Sequence, residues 1–314
     1  MLEMDCRICE NKENNKLVKV KEMMFGFRDE FDYLECSACG CIQILKIPTN
    51  LLKYYPENYY SFNNVDESQY INQSLKIRMK KRLVNYYIGQ YNIIGKLLSY
   101  LFKNPLPGIS GKLINHHSKI LDIGCGTGEI LLIMKGLGFT NLTGVDPFIK
   151  ADINYQGGLS ILKKEIEEIQ DTFDFIMLHH SFEHMDFPLK KLQTIYNLLN
   201  PKSYALIRIP VASSFAWRKY QANWVQLDAP RHFYLHTIKS IRVLAEKVGF
   251  ILKDIQFDST EFQFKGSEMY LRNIPLHSEN NIFDKNTLKS FSDHAKKLNT
   301  IKDGDQACFY LYKE

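Results

Sequence analysis

Apolar and polar positions change rhythm twice along the chain. From about Ser68 to Phe102 apolar residues recur at helical spacing, as Ile71, Leu75, Met79 and Leu83 and then Ile94, Leu97, Leu98 and Leu101. That spacing predicts one amphipathic helix, or two, because Gly89 and Gly95 interrupt it. Asn104-Pro105-Leu106-Pro107-Gly108 ends the pattern, since proline cannot continue a helix. Beyond Gly111 short apolar runs alternate with helical segments. Residues 119–123, 142–145, 159–162, 173–178, 204–209, 250–257 and 307–312 read as strands, and 129–137, 189–199 and 238–248 as helices. Strand–helix alternation of this kind predicts an α/β fold with a largely parallel sheet covered on both faces.

The first 48 residues follow neither rhythm and hold five of the seven cysteines. The expected organisation is therefore a small module over 1–48, a connector with helices over 49–112, and an α/β domain over 113–314. The length of 314 residues agrees with more than one domain, at about 150 residues each. The connector carries Tyr54, Tyr55, Tyr59 and Tyr60.

Composition removes several classes. Hydrophobic residues make up 45% and charged residues 24%, which excludes a disordered or fibrous chain. Forty Lys+Arg against 35 Asp+Glu leave a net charge of +5, too mild to require nucleic acid or a membrane as partner. The sequence has no apolar run of about 18 residues, so no transmembrane helix is expected. Residues 1–15 are charged and lack the apolar stretch of a secretion signal. A reducing, cytoplasmic setting is the expectation, and clustered cysteines there read as metal ligands before disulfides.

Cys6-x2-Cys9 and Cys36-x2-Cys39 form two knuckles 26 residues apart. Each places two thiolates on one turn, and two turns supply the four tetrahedral ligands of a structural zinc. Segments 17–20 and 31–34 look like the strands of a ribbon between them. Cys41 is either a substitute for Cys39 or a buried small residue. Four thiolates leave no open coordination position, so this metal is a scaffold.

Leu121-Asp122-Ile123-Gly124-Cys125-Gly126-Thr127-Gly128 ends the first α/β strand and opens a helix. Alternate glycines permit a tight turn and close approach of backbone to a nucleotide at a helix N-terminus. The spacing departs from the dinucleotide pattern G-x-G-x-x-G. Asp146 closes the next strand, where a carboxylate can accept ribose hydroxyls.

These residues resemble the class I S-adenosylmethionine-dependent methyltransferases. Leu121–Gly128 is similar to the first motif of that family, Val145-Asp146 to the second, and the run from Phe173 to His184 to the segment at the fourth strand. Asn200-Pro201-Lys202-Ser203 resembles the turn before the fifth strand, with Ser203 departing from the usual glycine. The resemblance covers about residues 113–260. It implies a Rossmann-like, seven-stranded sheet with an antiparallel last strand, and S-adenosylmethionine as cofactor. Asp122 would hold the methionine amino group, Gly124, Cys125, Gly126 and Gly128 would line the cofactor, Asp146 would bind its ribose, and His179 would reach the pocket. Glu165 sits where an acidic residue meets adenine in such proteins, or is a solvated charge. Cys125 reads as a small loop filler and not a nucleophile.

His180-Ser181-Phe182-Glu183-His184 also fits H-x-x-E-H, the inverted zinc-protease motif. That motif needs a helix, whereas this run follows a strand directly, so the protease reading is set aside. His184, with His180 beside it, is the candidate base that takes a hydroxyl proton during methyl transfer. The alternative is a structural histidine bonded to backbone. Trp224, Asp228, Arg231 and His232 form a second cluster that could bind hydroxyls or a phosphate, or a loop in which Arg231 pairs with Asp228. Lys76, Arg78, Lys80, Lys81 and Arg82 make a basic run, read as a solvated face or a site for a diphosphate, RNA or an anionic membrane.

The resemblance is nearest to methyltransferases with an N-terminal zinc module that act on nucleotide-linked sugars or other surface-glycan precursors in polysaccharide biosynthesis. It implies that Tyr59 and Tyr60 help close the substrate pocket. The leading expectation is methylation of a sugar hydroxyl. A sugar C-methyltransferase, an RNA methyltransferase and a non-catalytic scaffold are the alternatives.

Overall fold

The computed structural model describes residues 4–56, 65–71, 74–111, 113–278 and 282–314. In chain order its strands are β1 (Lys16–Lys21), β2 (Glu30–Glu35), β3 (Ile42–Ile44), β4 (Lys119–Ile123), β5 (Asn141–Val145), β6 (Ile153–Asn154), β7 (Ser160–Leu162), β8 (Phe173–His179), β9 (Leu199–Pro210), β10 (Tyr234–Leu235), β11 (Ile251–Phe257) and β12 (Gln306–Lys313). The helices are α1 (Ser68–Ile71), α2 (Leu75–Tyr87), α3 (Ile93–Ser99), α4 (Glu129–Gly136), α5 (Pro188–Leu198), α6 (Phe215–Tyr220), α7 (Ile238–Val248), α8 (Phe262–Leu271) and α9 (Lys285–Thr300).

Eight strands form the large sheet, in the order β11-β12-β9-β8-β4-β5-β7-β6. All seven strands expected from the sequence are in it, and the eighth is the two-residue β6. The chain's last strand lies between β9 and β11. β4 pairs in parallel with β5 on one side and with β8 on the other, with Leu121 opposite Thr143 and Ile176. Four of the five β4 residues are buried, as a strand covered on both faces requires. The result is a mixed α/β fold with a mostly parallel central sheet.

Contacts divide the chain into two compact units. One consists of Met1–Pro56, Phe182–Leu192 and Arg208–Phe309; the other of Glu57–Ser181, Gln193–Ile207 and Tyr310–Glu314. The cysteine-rich module thus belongs to a larger unit. Its hairpin β1–β2 is antiparallel and extends through β3 to β10, where Tyr234 faces Gln43 and Leu235 faces Ile42. Thr237 Oγ1 donates to the Cys39 carbonyl at 2.6 Å and Lys239 Nζ to that of Ala38 at 2.6 Å, so α7 is tied to the second knuckle by its first turn. In the same unit Met23, Val225, Met269, Tyr270 and Phe283 form an apolar cluster.

In the other unit the helical run resolves into α2 and α3. Asn92 caps α3 by accepting from Gly95 N–H at 3.0 Å. A Cβ on Gly95 would lie 2.2 Å from the Arg82 carbonyl oxygen, so glycine permits the close crossing of the two helices. The expected apolar stripe is largely exposed: Leu75, Met79, Ile94, Leu97 and Leu101 face solvent, and α2 buries Leu83 and Val84. The basic run on α2 is exposed. No helix among the described residues is long and apolar enough to cross a membrane.

Candidate functional site

The glycine loop is built as a strand-to-helix turn. Gly124, Gly126 and Gly128 all have positive φ, at 70°, 55° and 84°. At Gly124 the constraint is double, because a Cβ would also lie 2.4 Å from Ser181 Cβ. Ser181 Oγ donates to the Ile123 carbonyl at 2.7 Å, stitching the end of β8 to the end of β4. Cys125 packs its sulfur against Gly144 and is held with its thiol pushed well up by burial, so its side chain fills the loop and is no nucleophile.

Two carboxylates flank this turn. Asp122 is 2% exposed, and burial followed by the neighbouring Asp146 pushes its carboxyl well above the ordinary range. Such a group gains by meeting a cation. Asp146 Oδ2 accepts Gly126 N–H and Oδ1 accepts Phe148 N–H, each at 2.8 Å. Glu165, exposed, caps the short helical turn Ile166–Glu168 in a reciprocal arrangement with Glu168. His179 ends β8, and His180 follows in the left-handed region at φ 53°, a strained placement for a bulky residue. A buried acid and positive-φ glycines at the start of α4 fit an aminoacyl nucleoside.

The other unit holds the remaining candidates. Phe182–His184 is a single 3-10 turn, in place of the helix that an H-x-x-E-H metalloprotease needs. His184 Nδ1 lies 2.8 Å from the Arg231 carbonyl and His232 Nδ1 2.7 Å from that of Gln226. A carbonyl only accepts, so both rings carry their proton on Nδ1 and keep a lone pair on Nε2. Burial, with His184 next, lowers His232 to about 4.

Arg231 corrects the picture of a substrate-facing loop. Its side chain is fully buried and grips Asp228 through two nitrogens, at 3.0 and 2.6 Å, Glu22 at 2.9 Å and the Tyr54 carbonyl at 2.9 Å. Burial opposes the ionisation of Asp228, but the guanidinium prevails and holds the carboxyl below its ordinary value. Glu22 also accepts Phe25 N–H and Phe27 N–H, at 3.0 and 2.9 Å. Trp224 is 0% exposed and donates to Asp305 Oδ2 at 2.9 Å, so it offers no stacking wall. The pairing of Arg231 with Asp228 is the loop-building alternative that the sequence also allowed. Glu22 and Tyr33, whose hydroxyl donates to the His232 carbonyl at 2.9 Å, carry no sequence signal for this role. Glu183 did, as the acidic member of H-x-x-E-H.

Cys6, Cys9, Cys36 and Cys39 bring their sulfurs within 4.8 Å of one another. The closest pairs, Cys6–Cys39 at 3.6 Å and Cys9–Cys36 at 3.5 Å, are too long for disulfides and near the edge of about 3.8 Å expected for thiolates around zinc. Cys41 lies outside the cluster, buried, with its sulfur 3.8 Å from the Ile42 carbonyl. Tyr54 is buried and donates to Asp29 Oδ2 at 2.8 Å, a packing role. Tyr59 and Tyr60 lie outside the described residues.

Several solved structures are similar to parts of this chain at low identity. A cyclopropane synthase, MmaA2, from Mycobacterium tuberculosis is 17% identical over 63% of this chain and 78% of its own, with a TM-score of 0.42. An S-adenosylmethionine-dependent methyltransferase from Archaeoglobus fulgidus is 21% identical over 76% and 96%, at 0.40. A phosphoethanolamine N-methyltransferase from Haemonchus contortus, complexed with phosphomonomethylethanolamine and S-adenosylhomocysteine, is 16% identical over 80% and 61%, at 0.38. No curated protein matches the chain. A family model described as "Methyltransferase domain" matches residues 89–253, more than half of the chain and the whole stretch from β4 to β10. With the glycine turn, the buried Asp122 and the strand order already in place, this match assigns the chain to the methyltransferase-domain family, as an S-adenosylmethionine-dependent methyltransferase.

Proposed function

We propose that the protein transfers a methyl group from S-adenosylmethionine to a hydroxyl of a sugar or glycan precursor, nucleotide-linked or lipid-linked. The observation that carries the choice of a hydroxyl is His184. Its ring is fixed by the Arg231 carbonyl, and the lone pair left on Nε2 can accept a proton from an attacking oxygen.

In this reading Asp122 meets the methionine ammonium, Gly124, Gly126 and Gly128 admit the cofactor to the backbone, and Asp146 accepts from the ribose while bracing the loop. His179 contributes at the end of β8. When bound, the cofactor supplies an electrophilic sulfonium methyl; the chain's own part is to align the acceptor oxygen and exclude water. His184 stands five residues beyond His179 in sequence, on the segment that leaves the carboxyl end of β8, where ligands of α/β sheets bind. The Cys6, Cys9, Cys36 and Cys39 cluster holds a structural zinc.

A transfer screen over nucleotide-sugars, with RNA as a parallel substrate, tests this reading. A sugar product heavier by one methylene and fragmenting as an O-methyl ether is the expected outcome. Methylation at carbon, or transfer to RNA alone, would displace it.

A further inference from the structure

The turn Phe182–His184 and the loop 224–232 bring together two imidazoles and two carboxylates. One nitrogen each of His184 and His232 and one Glu183 oxygen lie within 4.8 Å of one another. The two rings meet edge to face, centroids 4.7 Å apart. His232 Nε2 is 3.9 Å from Glu183 Oε1 and 3.9 Å from Asp228 Oδ2. That is beyond hydrogen-bond range, and it is a separation that two donors reach around one cation at about 2.0–2.2 Å from each.

We propose that Glu183, His184 and His232 bind a first-row divalent cation, zinc or a similar ion, with Asp228 at its edge. The second layer of this site is already in place. Each Nδ1–H donates to a backbone carbonyl, Arg231 or Gln226, which fixes the tautomer and leaves Nε2 of each ring as the nitrogen able to ligate, the second-layer arrangement of metal-binding histidines. Charge points the same way: one buried guanidinium, Arg231, faces Glu22 and Asp228, and Glu183 adds a third carboxylate beside them. Glu183 is fully buried and His184 only partly so, leaving an approach on the His184 side.

Two imidazoles and one carboxylate leave at least one position for an outside oxygen. With the ion bound, the His184 lone pair is engaged, and an acceptor hydroxyl ligated there would release its proton to solvent more readily. The inference rests on the proposed reaction and changes one part of it, since a ligating His184 activates the hydroxyl through the ion and not as a free base; metal content is read without turnover, so the two can fail separately.

The test uses the full chain, stripped with a chelator and reloaded with Co2+ or Zn2+. Elemental analysis should give two ions per chain. In the cobalt form one should show sulfur-to-metal charge transfer and the second only the weak bands of a nitrogen–oxygen site. His184→Gln and His232→Gln should each hold one ion and keep the sulfur bands. A wild-type chain that takes up a single, wholly sulfur-bound ion overturns the proposal even if no variant folds, as do two ions retained in both histidine variants. A protein that binds two ions but methylates nothing would leave this site standing and remove the proposed function.

Discussion

Asp146, at the end of β5, accepts the backbone N–H of Gly126 at 2.8 Å. The carboxylate assigned to the ribose therefore also sets the shape of the glycine turn. Asp146→Ala should remove both contributions, weakening cofactor binding about 10- to 100-fold at roughly 1.5–3 kcal/mol for a hydrogen bond to a charged group. Titration calorimetry with S-adenosylmethionine measures this, and unchanged affinity would reject the assignment.

Gly124→Ala should damage folding and cofactor binding together. The new methyl meets Ser181 Cβ at 2.4 Å on a backbone with φ of 70°. Overpacking and a left-handed backbone each cost about 1–3 kcal/mol, so the thermal midpoint should fall by several degrees. A Ser181→Gly change in the same chain should recover part of the loss; no recovery would mean that the contact is not the cause.

Removing the charge of Arg231 strands the buried carboxylate of Glu22 and the partly buried one of Asp228. Arg231→Met should destabilise the protein by about 3–5 kcal/mol in chemical denaturation, the usual cost of breaking a buried pair from one side. Adding Glu22→Gln should return part of it. A near-neutral Arg231→Met would contradict the pairing described for Glu22 and Asp228.

Cys36→Ser should release the zinc proposed for the cysteine cluster and loosen the hairpin β1–β2. Elemental analysis should show one ion fewer than in the wild type, and protease should cut within residues 10–40 faster. Full metal content in this variant would remove Cys36 from the cluster.

Acid should weaken the unit that contains His236. This ring is buried between Phe182 and Tyr234, at centroid distances of 5.3 and 5.7 Å, and burial lowers it to about 3. The unfolded chain binds a proton near 6.5 and the folded chain does not until about 3, so stability falls as pH drops through that window, by at most about 1.4 kcal/mol per pH unit. His236→Phe should flatten the slope of thermal midpoint against pH between 6 and 4. An unchanged slope would place the acid sensitivity elsewhere.

The parts of the site written as local patterns were legible in the sequence. Asp122, the glycine turn and Asp146 lie within 25 residues, and each strand that positions them is a short apolar run. The cysteine knuckles were legible for the same reason. The Arg231 network was not, because its partners come from Glu22 and Tyr54, and arginine is a residue that sequence logic places at the surface. β10 has no sequence signal, because a two-residue strand leaves no alternation to read. α9 is different: Asp284 caps it, and Leu288, Phe291, Ala295 and Leu298 recur at helical spacing, so the sequence carries its signal in full. The α2–α3 stripe failed in the opposite sense, since its periodicity is real while most of its apolar residues face solvent.

The pairing of β3 with β10 joins Ile42 to Leu235. On the ribosome the cysteine hairpin therefore emerges with one edge bare, and its strand partner follows about 190 residues later, a delay of roughly 10–40 s at ordinary synthesis rates. Through that interval the hairpin has its metal ligands but neither Leu235 nor Arg231. If the cluster takes up its proposed zinc, capture of the ion would add to the strand pairing of β1–β3 before the rest of the unit exists, and the yield of folded protein would then depend on the ion being available during synthesis.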